Sequence, residues 1–170
     1  MTIWDTKQLK VVGGSSTSVK WTSSNKSVVT VGQKNGVVYA RKTGKATITA
    51  RVSGKKLTCK VTVSKIAPGA MKYLKGKWSN TTHDSHGPLY TAMIDANKIT
   101  FKYRNGKTAK YTIHAIRRTS YGYFIYFKTS DGRKGGYHYS IGGSGVKSLP
   151  LVAGWNPYST NMSYASGLER

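Results

Sequence analysis

Acidic side chains are what this sequence most lacks. Asp5, Asp84, Asp95, Asp131 and Glu169 are the whole set, against 28 Lys and Arg, and the formal net charge is +23. Hydrolytic sites built on paired carboxylates need two acids brought together. Asp95 and Asp131 stand in turn sequences, where Asp is favoured for its bonds to nearby backbone. Asp5 and Glu169 lie near the ends, so no plausible pair remains. Cysteine is equally scarce. The single Cys59 forms no internal disulfide, and its place between Leu57 and Val61 on an alternating stretch reads as a small buried hydrophobe. A reactive thiol would need an exposed, electropositive site. No apolar run is long enough to span a bilayer as a helix, residues 1–5 carry no signal peptide, and no helix of useful length is expected.

Other chemical signatures are also thin. No Gly-x-Ser-x-Gly elbow is present. The glycine-rich stretch from Ser140 to Gly145 is not followed by a helix start that would hold a phosphate. His83-Asp84-Ser85-His86 is the one cluster with metal-ligand residue types, but it is a single loop fragment, with His114 and His138 on distant strands. Zinc asks for three or four converging ligands, so a solvated polar loop before Gly87-Pro88 is the expectation. The sequence therefore predicts no enzyme, no metal site and no cofactor.

What is present is β rhythm. Over residues 19–63 short alternating runs are separated by turn chemistry. Val19 and Trp21 alternate with Lys20 and Thr22, Ser23-Ser24-Asn25-Lys26 turns, residues 28–31 are β-branched, and Asn35-Gly36 is a strong hairpin signal. Residues 37–40 resume the strand, Thr43-Gly44 turns, and Ala46, Ile48, Ala50 and Val52 point one way. Ser53-Gly54 turns again, and Leu57, Cys59, Val61 and Val63 close the set. Residues 8–12 form one candidate strand before it. Short strands at this spacing predict an antiparallel β-sandwich.

The ordered motifs VKWTSSNKSVVTV, NGVVYARKTGKATITA and CKVTV resemble the group 2 bacterial immunoglobulin-like domain over about residues 5–64. Lys45 stands where that family usually has Thr, and its first strand is missing or very short ahead of Gln8-Leu9-Lys10-Val11. The resemblance implies a non-catalytic module of the kind common in surface adhesins and phage virion proteins. It places the chain outside the cell, on a bacterial surface or a phage particle. With no signal peptide, the expectation is a fragment of a longer exported protein or a virion protein released by lysis.

Residues 64–70 (SKIAPGA) read as a linker, and composition shifts after it: Tyr39 precedes it and the other eleven of twelve Tyr follow. The predicted domains are 1–65 and 66–170. The second also reads as β. Strands are expected over 76–79, 89–94, 98–104, 108–118, 123–128, 137–141 and 149–155, with a last one in 159–168. Tyr111, Ile113 and Ala115 share one face, and Asn105-Gly106 and Asp131-Gly132 mark hairpins. The expected fold class is thus all-β: an Ig-like sandwich followed by a second antiparallel meander or small barrel. Gly76-Lys77-Trp78 is weakly similar to the Gly-x-Trp opening of lipocalin and calycin barrels, a likeness that a terminal Arg such as Arg170 would strengthen.

The positive charge is spread through the chain. Residues 1–65 carry 13 bases and one acid, residues 66–170 carry 15 bases and four acids. Such a surface attracts polyanions of any sequence, although a soluble Lys-decorated surface has the same composition. In the second half, bases interleave with aromatics, and Tyr103, Arg104, Arg117, Arg118, Tyr121, Tyr126, Lys128, Arg133 and Lys134 are the candidate binding residues. Aromatic faces beside cations suit sugars and single-stranded nucleic acid, while cross-strand packing accounts for any one Tyr equally well.

The leading expectation is a binding or adhesion module for an anionic cell-wall polymer (teichoic acid), a glycan or a host-cell surface, with the first domain as spacer or docking unit. The alternatives are a phage tail or capsid decoration protein without a ligand of its own, a nucleic-acid binder, and a calycin-like carrier of a small ligand. No helix-turn-helix, zinc finger or RNA-recognition signature supports the nucleic-acid reading.

Overall fold

The computed structural model describes the backbone of residues 1–13, 18–80, 83–85, 87–88, 90–140, 148–153 and 164–169. It resolves two compact units, Met1–Lys65 and Ile66–Arg170. Both are antiparallel β.

The first unit holds β1 (Thr6–Gln8), β2 (Lys20–Ser23), β3 (Val29–Val31), β4 (Val37–Ala40), β5 (Gly44–Val52) and β6 (Lys55–Val63). They form two three-stranded sheets, β1-β4-β3 and β2-β5-β6. Alternation decides which side chains meet between them. On β5, Ala46, Ile48 and Ala50 are buried, and they share a core with Trp21, Val29, Val38 and Val63. The hairpin expected at Asn35-Gly36 joins β3 to β4, with Gly36 at φ 69°. A Cβ at Gly36 would lie 2.8 Å from the Trp21 ring, so the glycine serves both the turn and the core.

Two expectations for this unit need correction. The first strand is Thr6–Gln8, not residues 8–12. Thr6, Lys7 and Gln8 pair with Tyr39, Val38 and Val37, and the chain then leaves the sheet. Cys59 is exposed, not buried. It does sit on the core-facing side of β6, opposite Ile48 in the ladder, but the facing sheet has strands of only three or four residues. Those strands cover Val61 and Val63 and stop short of Cys59.

The second unit opens with a short helix, α1 (Ala70–Leu74), which begins at the end of the stretch 64–70 read as a linker; no helix of useful length was expected. Ala70 and Leu74, four residues apart on one helix face, are both fully buried. The strands that follow are β7 (Gly76–Asn80), β8 (His83–Asp84), β9 (Gly87–Pro88), β10 (Tyr90–Ile94), β11 (Lys98–Tyr103), β12 (Thr108–Arg118), β13 (Gly122–Lys128), β14 (Lys134–Ser140), β15 (Ser148–Ala153) and β16 (Tyr164–Glu169). β8 and β9 make a small hairpin of their own. The others form an up-and-down meander in the order β7-β10-β11-β12-β13-β14-β15-β16. β16 pairs back to β7 at Leu168↔Asn80 and Glu169↔Ser79, which gives the topology of a barrel.

The inner face is one apolar cluster that includes Trp78, Ile94, Ile99, Phe101, Ile113, Ile116, Ile125, Phe127 and Tyr137. α1 belongs to the same cluster. Trp78 Nε1 donates to the Leu74 carbonyl at 3.0 Å, and the Ala67 N–H donates to the Ile116 carbonyl at 2.7 Å. β12 has a register shift between Ile113 and Ala115. The extra residue reverses the facing of everything after it, so the inner face passes from Ile113 to Ile116. Ala115, expected beside Ile113, is buried outside the cluster. Arg170, the residue that would strengthen the calycin likeness, lies outside the described residues.

β13 is buried along both faces, as its double apolar pattern predicts. Its aromatic rings lie on the glycines of β14. A Cβ at Gly135 would fall 2.4 Å from Phe127, and one at Gly136 would fall 2.2 Å from Phe124. Gly136→Ala is therefore expected to destabilise the second unit by about 1–3 kcal/mol through overpacking. Urea denaturation of the purified variant checks it.

Candidate functional site

The antiparallel register sorts the turns of the second unit into two ends. Turns 104–107 and 129–133 flank the start of β12 and the end of β13, which are neighbours, so they lie at the same end. Turns 95–97 and 119–121 lie at the other. The second end is the one that α1 and the residues leading into it pack against: Ala67 N–H donates to the Ile116 carbonyl, the Tyr123 hydroxyl to the Pro68 carbonyl, and the Tyr73 ring lies 5.8 Å from that of Tyr123.

At the end with turns 104–107 and 129–133, the inner face becomes a continuous aromatic row. Tyr90 and Tyr103 are direct partners on β10 and β11, with ring centroids 5.4 Å apart. Tyr90 meets Phe101 edge-on at 5.6 Å, and Phe101 meets Tyr111 at 4.6 Å. Tyr111 stacks on Phe127 at 5.0 Å and 18°, and Phe127 meets Tyr137 at 5.3 Å. Such offset and tilted pairs are each worth about 0.5–1.5 kcal/mol beyond burial. Phe101, Phe127 and Tyr137 are buried, while Tyr90, Tyr103 and Tyr111 are half-buried.

The phenols also see one another. Tyr103 and Tyr111 share a side-chain hydrogen bond, and burial followed by the Tyr103 charge and that bond pushes the Tyr111 hydroxyl up from its ordinary pKa. Burial pushes Tyr137 up further, with smaller contributions from Tyr90, Tyr111 and Tyr103. Tyr111 and Tyr137 are consequently neutral at any physiological pH. A raised phenol is neutral in the fold but ionises at its ordinary value of 10.0 once unfolded. Its stabilising contribution is thus complete below that pH and is lost as pH rises toward the folded value. Thermal melts of the chain are expected to fall steeply above pH ~10, and Tyr137→Phe is expected to flatten that fall.

The nine residues singled out from sequence do not form one surface. Tyr103, Arg104, Lys128, Arg133 and Lys134 gather at the aromatic end, on or beside turns 104–107 and 129–133. Arg104, Arg133 and Lys134 are exposed and Lys128 is half-buried. Arg133 Nε reaches Asp131 Oδ2 at 2.8 Å across its own turn. The same Asp131 carboxylate accepts from Thr129 Oγ1, and that bond, with Arg133, holds its pKa below the ordinary range.

Arg117, Arg118 and Tyr121 are at the opposite end. Arg118 donates to the Tyr123 hydroxyl at 3.0 Å and lies 5.0 Å over the Tyr123 ring, a contact that fixes the α1 end of the sheet. Tyr121 is 76% exposed and Arg117 is half-buried. Tyr126, also among the nine, is only 8% exposed, with its ring 4.4 Å from Phe124.

Sequence reasoning missed Tyr90, Tyr111 and Tyr137. Their signal was phase: each falls on the inner side of its strand once the hairpins at 104–107 and 129–133 are set in register. Of the His83–His86 cluster, His86 lies outside the described residues. Among the described residues no three His, Cys, Asp or Glu side chains are placed to share a metal ion. Among them too, no helix is long and apolar enough to cross a membrane.

The two units are thus a small sandwich and an eight-stranded meander whose aromatic end carries bases. Comparison with known families is specific for the first unit. Residues 5–63 match the bacterial Ig-like domain (group 2), so the first unit is similar to that family, whose domains are generally non-catalytic and suggest a surface or adhesion-type module. The match covers roughly a third of the chain and does not extend into the second unit. No curated protein matches the chain.

Proposed function

We propose that the chain is a non-catalytic binding module for an anionic cell-wall polymer or glycan, displayed on a bacterial surface or a phage particle. The second unit makes the contact, and the Ig-like unit serves as spacer or docking domain. The observation that carries this reading is the aromatic row from Tyr90 to Tyr137, set at the end of the sheet that bears Arg104, Lys128, Arg133 and Lys134. Half-buried phenol rings offer flat faces to sugar or polyol carbons and hydroxyls to their oxygens. The surrounding cations attract phosphate or carboxylate. A carrier function would need an apolar lumen, whereas the described inner positions are filled by Trp78, Phe101, Phe127 and neighbouring isoleucines.

Salt dependence alone does not separate teichoic acid from nucleic acid, because both release counterions. Competition does. Labelled chain bound to immobilised wall polymer is expected to be displaced by free teichoic acid at a concentration roughly tenfold or more below that needed of duplex DNA of equal phosphate content. Displacement by DNA at the lower concentration would favour the nucleic-acid reading.

A further inference from the structure

Among its described residues, the first unit leaves part of its core uncovered beside a strand edge that no other strand takes. β6 is an edge strand of the β2-β5-β6 sheet. Residues 1–3 cap its far end: the amino terminus donates to the Thr62 carbonyl, Thr2 bridges Ser64 in parallel, and the Ser64 N–H donates to the Met1 carbonyl. Over residues 55–60 no strand among the described residues takes that edge. Leu57 and Cys59 face the same way as Val61 and Val63, which are core, yet Leu57 is 45% exposed and Cys59 is exposed.

A groove of about 230 Å³ lies there, floored by Trp21, Ile48 and Ala50 and walled on its other side by residues 9–12. An open core next to an open edge is the geometry of strand addition. The edge supplies main-chain bonds, and alternate side chains of the incoming strand enter the groove.

Charge decides what fits. Lys10 lines the groove and Lys55, Lys56 and Lys60 lie along the edge strand, in a unit whose only acid is Asp5. Lysines along an edge oppose pairing with a second copy of the same basic strand, and they favour a partner of opposite sign. We propose that the 55–60 edge of β6 receives an extended segment of a partner protein, with apolar residues at alternate positions and Asp or Glu between them. The apolar side chains fill the groove over Ile48 and Cys59. This site is independent of the second unit and of the ligand proposed for it.

The test uses the full chain and two fluorescent octapeptides of one composition. In the first, Glu alternates with Val and Leu; in the second, four Glu precede the four apolar residues. At about 0.15 M salt the alternating peptide is expected to bind at least ~10-fold more tightly than the block peptide, and to slow alkylation of Cys59 by a small maleimide. Leu57→Glu, at an already exposed position, is expected to abolish both effects and leave the melting temperature unchanged. Equal binding of the two peptides would overturn the proposal, as would an unchanged Cys59 rate. Self-association that protects Cys59 without peptide would overturn it too, by assigning the groove to a second copy of the chain.

Discussion

Trp78→Ala is expected to remove about 3–5 kcal/mol of stability from the second unit, the cost of deleting a large, fully buried aromatic. A domain of ordinary stability has only ~5–15 kcal/mol in total. Trp78 is fully buried, and it is the residue through which the first strand holds α1: its indole N–H donates to the Leu74 carbonyl. The alanine variant loses ring volume and also leaves a buried carbonyl without that donor. Trp78→Phe separates the two contributions. It keeps most of the volume and is expected to cost only ~1–3 kcal/mol, the penalty of an unsatisfied buried acceptor. Urea unfolding followed by tyrosine fluorescence and far-UV circular dichroism measures both. A loss below about 1 kcal/mol for the alanine variant would mean that α1 and Trp78 do not belong to the core.

The second large effect concerns binding. Reversing Arg104, Lys128, Arg133 and Lys134 together to Glu is expected to weaken retention on wall polymer by roughly ten- to a hundredfold at physiological salt. These residues share the aromatic end of the sheet. A matched control reverses Lys7, Lys26, Lys34 and Lys42, all exposed on the first unit, and removes the same amount of charge. The control is expected to lose only a few-fold, because these lysines belong to the first unit, to which the proposal assigns no contact with the polymer. Equal losses in the two variants would show that bulk charge, not the aromatic end, holds the ligand.

Much of this fold was legible in the residues. Asn35-Gly36, Asn105-Gly106 and Asp131-Gly132 all sit at hairpins, with positive φ at each glycine. Alternation placed Ile48 and Ala50 in one core and Ile125 and Phe127 in the other. These are local signals, fixed by turn chemistry and by the two-residue period of a strand.

What escaped the sequence depends on non-local geometry. Arg104 and Arg117 look equivalent in the chain, yet they lie at opposite ends of the sheet, because Arg104 precedes β12 and Arg117 stands near the far end of that eleven-residue strand. Cys59 keeps perfect alternation with Val61, and only the short facing sheet shows that nothing covers it. α1 was hidden because five residues are too few for a periodic pattern to register, and its burial comes from the sheet it packs on, not from helix propensity.

The proposed function is the holding of an anionic surface polymer. Retention of the full chain on purified Gram-positive cell walls, before and after removal of their teichoic acid, tests it most directly. The account predicts strong retention on intact walls and a loss of roughly tenfold or more on stripped ones. No retention on either preparation would contradict it.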